Sequence, residues 1–216
     1  MNIEYEALNE ALIRQIKTPP RKVMDFGCGI GSLGSFIKKN WGAEVTGITY
    51  SEAEAEKARN SIDHVEVCDL NDWIPNESQK FDLVICSHVL EHLYQPKKLL
   101  FKIKSILAPG GILLVALPNV LFWRQRLLFL KGVFRYTDGG LMDSTHFRFF
   151  DYQTAQELIT ISGYHIMCVE PDGVVPIGFL RRKLPIRWVK SIDQWGLRKF
   201  PGIVGCQILI EAKAEK

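Results

Sequence analysis

No run of apolar residues in this 216-residue chain approaches the roughly 18 that a membrane span requires. Its start, MNIEYEALNE, is acidic and amphipathic, unlike the basic-then-apolar pattern of a secretory leader. No internal repeat and no low-complexity linker interrupts it. Gly 17 and Pro 10 are too few for a collagen-like or biased chain, and 47% hydrophobic residues exclude disorder. Cysteine is sparse and scattered. Cys28, Cys68, Cys86, Cys168 and Cys206 are odd in number and form no C-x-x-C pair, so a reducing cytoplasmic compartment is expected. Charge of one sign is lacking too, since a net +3 is too small to mark a nucleic-acid binder. What remains is one globular domain, long enough to bury most of its surface.

What is present is an alternation of elements. Residues 4–17 place Tyr5, Leu8, Leu12 and Ile16 at helical spacing until Thr18-Pro19-Pro20 stops them. Residues 22–26 read as a buried strand running into the glycine cluster GCGIGSLG. A helix over 32–40 and a strand over 44–48 follow. Ser51 then caps a polar helix, with Glu54 completing a capping box. Strands over 65–68 and 81–86, a helix over 96–107 and a fifth strand over 112–117 continue the rhythm. Strands joined by helices imply right-handed crossovers, hence an α/β fold with a doubly wound, mostly parallel, Rossmann-like sheet of seven strands. A helix over 151–163, capped by Asp151 or Thr154, precedes two strands at 164–170 and 206–213. No helical crossover is evident between those two, so they are expected as an antiparallel terminal pair. Residues 118–150 and 174–204 fall outside the pattern as two insertions. The first leaves the carboxyl end of a strand, where open α/β sheets bind ligands.

Asp25-Phe-Gly27-Cys28-Gly29-Ile-Gly31 sits between a strand and a helix, where glycines allow a tight turn and close approach of a ligand. Residues 29–34 also satisfy G-x-G-x-x-G, so a dinucleotide loop and a ligand-free turn both stand at this point.

Later segments separate these readings. D-F-G-C-G-I-G resembles motif I of class I S-adenosylmethionine-dependent methyltransferases. VTGITYS, Cys68-Asp69-Leu70, and FDLVICSHVLEHL through LAPGGILLVALPN resemble that family's later stations in the same order, over about residues 21–119. The resemblance implies that Gly27, Cys28, Gly29 and Gly31 pass beneath the methionine part of S-adenosylmethionine, with Asp25 ordering the loop or attracting the ammonium. The family's acid at the end of strand two is replaced by Thr49, so the ribose grip is expected to be shared with Tyr50 and Ser51. Lipid cyclopropane synthases and tocopherol-type methyltransferases carry a similar G-x-T-x-S stretch. The missing acid counts more heavily against a nicotinamide enzyme. Asp69 would accept from the adenine amino group, or serve only as a cap or turn residue. Leu70 would pack the adenine ring, and Ser87 and His88 would line the pocket.

His88-Val-Leu-Glu91-His92 spells H-x-x-E-H, an inverted zinc-peptidase motif. No third ligand can be named, so no metal is assigned, and His92 is placed at the substrate side or in the core. Asn/Asp-Pro-Pro-Tyr/Phe is absent after strand four, which speaks against the amino-methyltransferases of adenine or glutamine that resemble that pattern. Methyl transfer needs alignment and exclusion of water, and a base if the acceptor is a hydroxyl. In the first insertion, a helix over 120–131 carries Phe122, Trp123 and Phe129, as ordinary packing or as an acceptor lid. His146 is the general-base candidate, oriented by Asp143 or Arg148; alternatively His146 and Arg148 only pin the loop to the helix at 151–163. Trp123, Tyr136, Asp143 and Arg148 are the expected substrate contacts. The G-x-F-x-Y, G-L-x-D and T-H-x-R-F-F stretches resemble a methyltransferase branch linked to glycan assembly.

The mild net charge conceals a segregation. Residues 120–136 carry Arg124, Arg126, Lys131 and Arg135 with no acid, and residues 176–200 carry seven bases against Asp193 alone. The remainder is acidic. The expected function is therefore methyl transfer to a small or carrier-linked, anionic acceptor at oxygen, with contact to an anionic membrane surface and not to nucleic acid. A nicotinamide-dependent oxidoreductase and a non-catalytic S-adenosylmethionine-binding module are the competing readings.

Overall fold

A computed structural model describes residues 8–215. The expected helix over 4–17 falls partly outside the described residues. Within them it shortens to α1 (Glu10–Ile13), capped by Asn9, whose side chain accepts from the Leu12 N–H. A turn at Arg14 and Gln15 ends it before the prolines are reached.

Among the described residues seven strands form one sheet in the order β3-β2-β1-β4-β5-β7-β6. The strands are β1 (Lys22–Phe26), β2 (Glu44–Thr49), β3 (His64–Val67), β4 (Phe81–Ser87), β5 (Leu107–Pro118), β6 (Tyr164–Gly173) and β7 (Gly205–Ala214). β1 to β5 pair in parallel, and β7 runs antiparallel between β5 and β6. Successive side chains of a strand point to opposite faces, and the core divides accordingly. Val23, Val45, Leu83, Ile85 and Leu114 face α2 (Ser32–Trp41) and the small residues of α3 (Glu52–Ala58). Met24, Phe26, Val84, Cys86 and Val115 face α4 (Pro96–Ile106) and, later in the chain, α6 (Tyr152–Ile161). Tyr164 completes that second layer, fully buried with its hydroxyl donating to the Leu100 carbonyl at 2.7 Å.

The register brings one set of strand ends together. Phe26 lies opposite Ile48 on one side and Cys86 on the other, and Ser87 lies opposite Ala116. Thr49, Ser87 and Pro118 thus end their strands along one edge, where the loops open.

The two insertions depart from expectation in opposite ways. In the first, the expected helix over 120–131 begins only at Trp123, as α5 (Trp123–Leu130). The buried Asn119 accepts from the Leu121 N–H and holds the preceding residues in a turn. Phe122 is buried, whereas Leu127, Leu128 and Leu130 face outward. In the second, the strand pair was expected to lack a helical crossover, but α7 (Leu180–Lys183), α8 (Ile186–Lys199) and α9 (Pro201–Val204) fill the connection. Only Val189 and Gly196 of α8 are buried. Apolar and basic residues of α8 do alternate at helical spacing, so the helix is present in the sequence pattern and is missed when the segment is read as a basic, aromatic-rich insertion.

Candidate active site

The loop after β1 has the conformation that glycine permits. Gly27, Gly29 and Gly31 have φ of 71°, 53° and 82°. A Cβ on Gly27 would lie 2.4 Å from Val89 Cγ2, whereas one on Gly29 would meet nothing within 4 Å and would project into the open space above the loop. Gly27 therefore lets the loop press against the segment after β4, and Gly29 keeps the cradle clear. Cys28 points the other way. Its sulfur packs in the core beside Gly47, so only its main chain faces the loop.

Beneath the loop Asp25 is buried, and its Oδ2 has no hydrogen-bond partner. Burial raises its pKa to about 7. A buried acid without a protein partner beneath a ligand cradle is suited to a cationic ligand.

At the end of β2 the structure supplies an acid that the strand itself lacks. Thr49 is buried and its hydroxyl donates to Glu54 Oε2 at 2.5 Å. The Glu54 N–H still reaches the Ser51 side chain at 3.4 Å, so Ser51 caps α3. The Glu54 carboxylate, however, turns to Thr49 instead of closing the capping box. Thr49 and Glu54 together form a hydroxyl–carboxylate pair able to meet a ribose. Tyr50 is exposed. Asp69 Oδ1 accepts from the Asn71 N–H and side-chain amide, both at 2.9 Å, which makes it a turn residue with one oxygen committed. Leu70 packs half-buried against the core.

The H-x-x-E-H segment is not a helix. His88 has a φ of 54° and only Leu90–His92 forms a single 3-10 turn, so His88 and His92 share no helical face. A non-glycine residue in the left-handed region is uncommon, and such strain clusters at functional sites. His88 Nδ1 lies 3.3 Å from Glu91 Oε1 and its Nε2 3.0 Å from Gln207 Oε1. Burial pushes the His88 pKa down, but Glu91 and Gln207 outweigh it and the net shift is upward. Ser87 accepts from the Asn9 amide at 3.3 Å, and that amide also donates to Gln207 at 3.1 Å. Asn9 and Gln207 thus close the mouth beside β4. Neither residue sits in a recognisable motif.

Across from the loop the structure assembles a second group. The Phe147 and Arg148 N–H groups both donate to the Glu91 carbonyl, at 2.9 and 3.0 Å, and the Arg148 guanidinium donates to the Tyr94 carbonyl at 2.9 Å. Arg148 therefore pins the first insertion to the segment after β4, not to α6. This pinning brings His146 against His92, with ring centroids 4.7 Å apart. His92 Nδ1 lies 3.3 Å from the Thr145 carbonyl and 3.0 Å from its hydroxyl, which donates to the buried Asp143 at 2.7 Å. A carbonyl only accepts, so Nδ1 carries the proton and Nε2 keeps its lone pair. Burial, with His92 nearby, holds the His146 pKa below the usual imidazole value against the opposing pull of Glu91 and Asp143. His146 and His92 are thus brought together, and Asp143 acts on His92 through Thr145.

Of the remaining expected contacts, Tyr136 stands in a row of aromatic rings. Phe129, Phe134, Tyr136, Phe149 and His146 follow one another with centroids 5.7, 5.7, 6.3 and 6.1 Å apart. Trp123 packs against Phe122, and its buried Nε1 lacks a partner.

The methyltransferase-domain family matches residues 3–199. Ubiquinone biosynthesis O-methyltransferase of Coxiella burnetii is 30% identical over 111 residues, 49% of this chain and 47% of that protein. Tocopherol O-methyltransferase, chloroplastic, of Arabidopsis thaliana is 35% identical over 103 residues, 44% of this chain and 29% of that protein. The chain thus spans at most about half the length of these curated relatives. A SAM dependent methyltransferase from Archaeoglobus fulgidus shares the fold, with a TM-score of 0.65 at 20% identity over 94% of this chain and 91% of that one. With its glycine cradle, strand order and family match over most of its length, the chain belongs to the methyltransferase-domain family, among the class I S-adenosylmethionine-dependent methyltransferases.

Proposed function

We propose that this chain transfers the methyl group of S-adenosylmethionine to a hydroxyl of a small or carrier-linked acceptor. The observation that carries the reading is the meeting of Glu91, His92 and His146 one segment away from the glycine cradle. Val89, which abuts Gly27, lies two residues before Glu91. In this reading Gly27 to Gly31 pass beneath the methionine part of the cofactor, and Asp25 faces its positive charge. Thr49 and Glu54 hold the ribose, with Tyr50 and Ser51 at its rim, while Asp69 and Leu70 take the adenine and Ser87 and His88 line the floor. The sulfonium methyl is already activated, so the protein's work is alignment, exclusion of water and care of the acceptor's proton. As the methyl passes from sulfur to oxygen, the hydroxyl proton passes to the imidazole side of the site.

Trp123, Tyr136 and the adjoining rings supply the acceptor wall. The matched relatives are named as O-methyltransferases, one of ubiquinone biosynthesis and one of tocopherol, which supports a hydroxyl acceptor. The T-H-x-R-F-F stretch supports a glycan acceptor. Both acceptor types present a flat or apolar face that stacks on aromatic rings.

The cofactor assignment is tested by calorimetry with S-adenosylhomocysteine and with NAD. Binding of the former and silence with the latter is expected; preference for NAD would return the chain to the oxidoreductases. A screen with methyl-labelled cofactor against glycan and lipid fractions then separates an enzyme from a binding module, and identifies the acceptor class.

A further inference from the structure

We propose that Glu91, His92 and His146 form a binding site for one divalent first-row transition cation, with zinc, cobalt or manganese as the ions it would take. The ligand atoms of these three residues all lie within 4.8 Å of one another. Glu91 is fully buried and neither of its carboxylate oxygens has a hydrogen-bond partner, although His88 Nδ1 stands 3.3 Å from Oε1. His146 Nδ1 is also buried without a partner. Polar atoms enclosed in this way are rare in folded proteins, and two of them converging on one point mark a missing ligand.

The surroundings are those a metal-binding histidine needs. Thr145 receives the Nδ1 proton of His92, which leaves Nε2 free to ligate, and Asp143 receives the Thr145 hydroxyl in turn. Such outer partners fix the tautomer and the ring plane of a ligating imidazole. Two imidazoles and a carboxylate are a donor set for transition metals, whereas magnesium and calcium favour all-oxygen sites. Three protein ligands leave positions open for an acceptor oxygen, as in catalytic metal centres. The H-x-x-E-H stretch alone lacked a third ligand. His146, distant in sequence, is brought in by the two hydrogen bonds to the Glu91 carbonyl. The site rests on the acceptor reading and changes one part of it. With a cation bound, the two imidazole lone pairs would be committed to it, and the cation would acidify the acceptor hydroxyl in place of an imidazole base. The site is defined by its own side chains and can be measured without turnover.

The test is titration of the chelator-treated full chain with Co2+. A saturable one-to-one visible ligand-field band, displaced by Zn2+, is expected. Glu91→Gln and His146→Ala should abolish the band, Thr145→Val should weaken binding about tenfold, and His64→Ala, on the surface, should leave it intact. Retained S-adenosylhomocysteine binding shows that a variant is folded, and fails separately if the cofactor reading is wrong. If Glu91→Gln does not fold, His146→Ala alone decides. Absence of saturable binding, survival of the band in His146→Ala, or thiolate charge-transfer absorption from the cysteines would each overturn the proposal.

Discussion

Asp25 is the residue on which binding and stability pull apart. In the unfolded chain it ionises near 3.8, but in the fold only at about 7, because burial removes water from its carboxylate. Its titratable neighbours, Cys28 and Cys86, are thiols that burial holds in the protonated form. The folded chain therefore binds the extra proton between these two values. Stability is fully present below about pH 4 and falls as pH rises toward 7, then levels off. Asp25→Asn should raise the melting temperature of the ligand-free protein by an amount that grows across that window, while weakening cofactor binding. A gain independent of pH, or tighter cofactor binding, would contradict the placement. Gly29 makes a second residue-scale prediction. Its Cβ position is open, so Gly29→Ala costs about 1–2 kcal/mol of left-handed strain, yet it should weaken calorimetric binding of S-adenosylhomocysteine by far more than it lowers stability. Gly27→Val should instead damage folding, through its contact with Val89.

Legibility was uneven at this scale. The glycines, Asp25 and the two histidines of the acceptor side could be named from the sequence because each sits in a motif or beside one. Glu54 was assigned to a cap, since spacing alone cannot show a carboxylate turning back to Thr49. Glu91 stands in the H-x-x-E-H stretch, but its convergence with His146 depends on how a distant loop folds back.

Elements repeat the pattern. The five parallel strands and their helices were legible because buried strands are short apolar runs bounded by turns. The connections after β5 and β6 were less so. Whether residues 120–122 enter α5 is decided by Asn119, a buried side chain that accepts from the Leu121 N–H and donates to the Gly202 and Gly205 carbonyls at 3.1 and 2.7 Å. Asn119 therefore ties the first insertion to α9 and the start of β7. Asn119→Ala leaves these buried groups unpaired, which costs about 1–3 kcal/mol each before relaxation. A melting temperature lowered by several degrees is expected, together with faster hydrogen exchange in α5 and α9. Loss of stability without faster exchange there would show that the tie is not local.

Taken as a whole, the molecule is an acidic core carrying two basic, apolar-tipped insertions, which meet at Gly202 through Asn119 and Arg126. Leu127, Leu128 and Leu130 of α5 are exposed, as are Ile186, Trp188 and Trp195 of α8. Among the described residues no helix is long and apolar enough to cross a membrane. We infer that α8, with its exposed bases and tryptophans, meets an anionic membrane surface. Arg181 is not available for it, because its guanidinium is held by Asp193 at 2.7 Å and by the Val175 carbonyl. Arg182, Lys183, Arg187 and Lys190 are exposed. Each base near an anionic membrane is worth about 1 kcal/mol, so changing all four to Gln should weaken binding to phosphatidylserine vesicles roughly a hundredfold to a thousandfold. Binding indifferent to these changes and to salt would remove the surface from the account.

The central claim is that the imidazole pair acts on an acceptor beside a bound methyl donor. Its most direct measurement is transfer of labelled methyl from S-adenosylmethionine into fractionated cell extract, comparing the unaltered chain with His146→Ala at equal cofactor occupancy. The account predicts labelled product from the former, and a loss of about a hundredfold or more in the latter with S-adenosylhomocysteine affinity unchanged. Equal labelling by both proteins would contradict it.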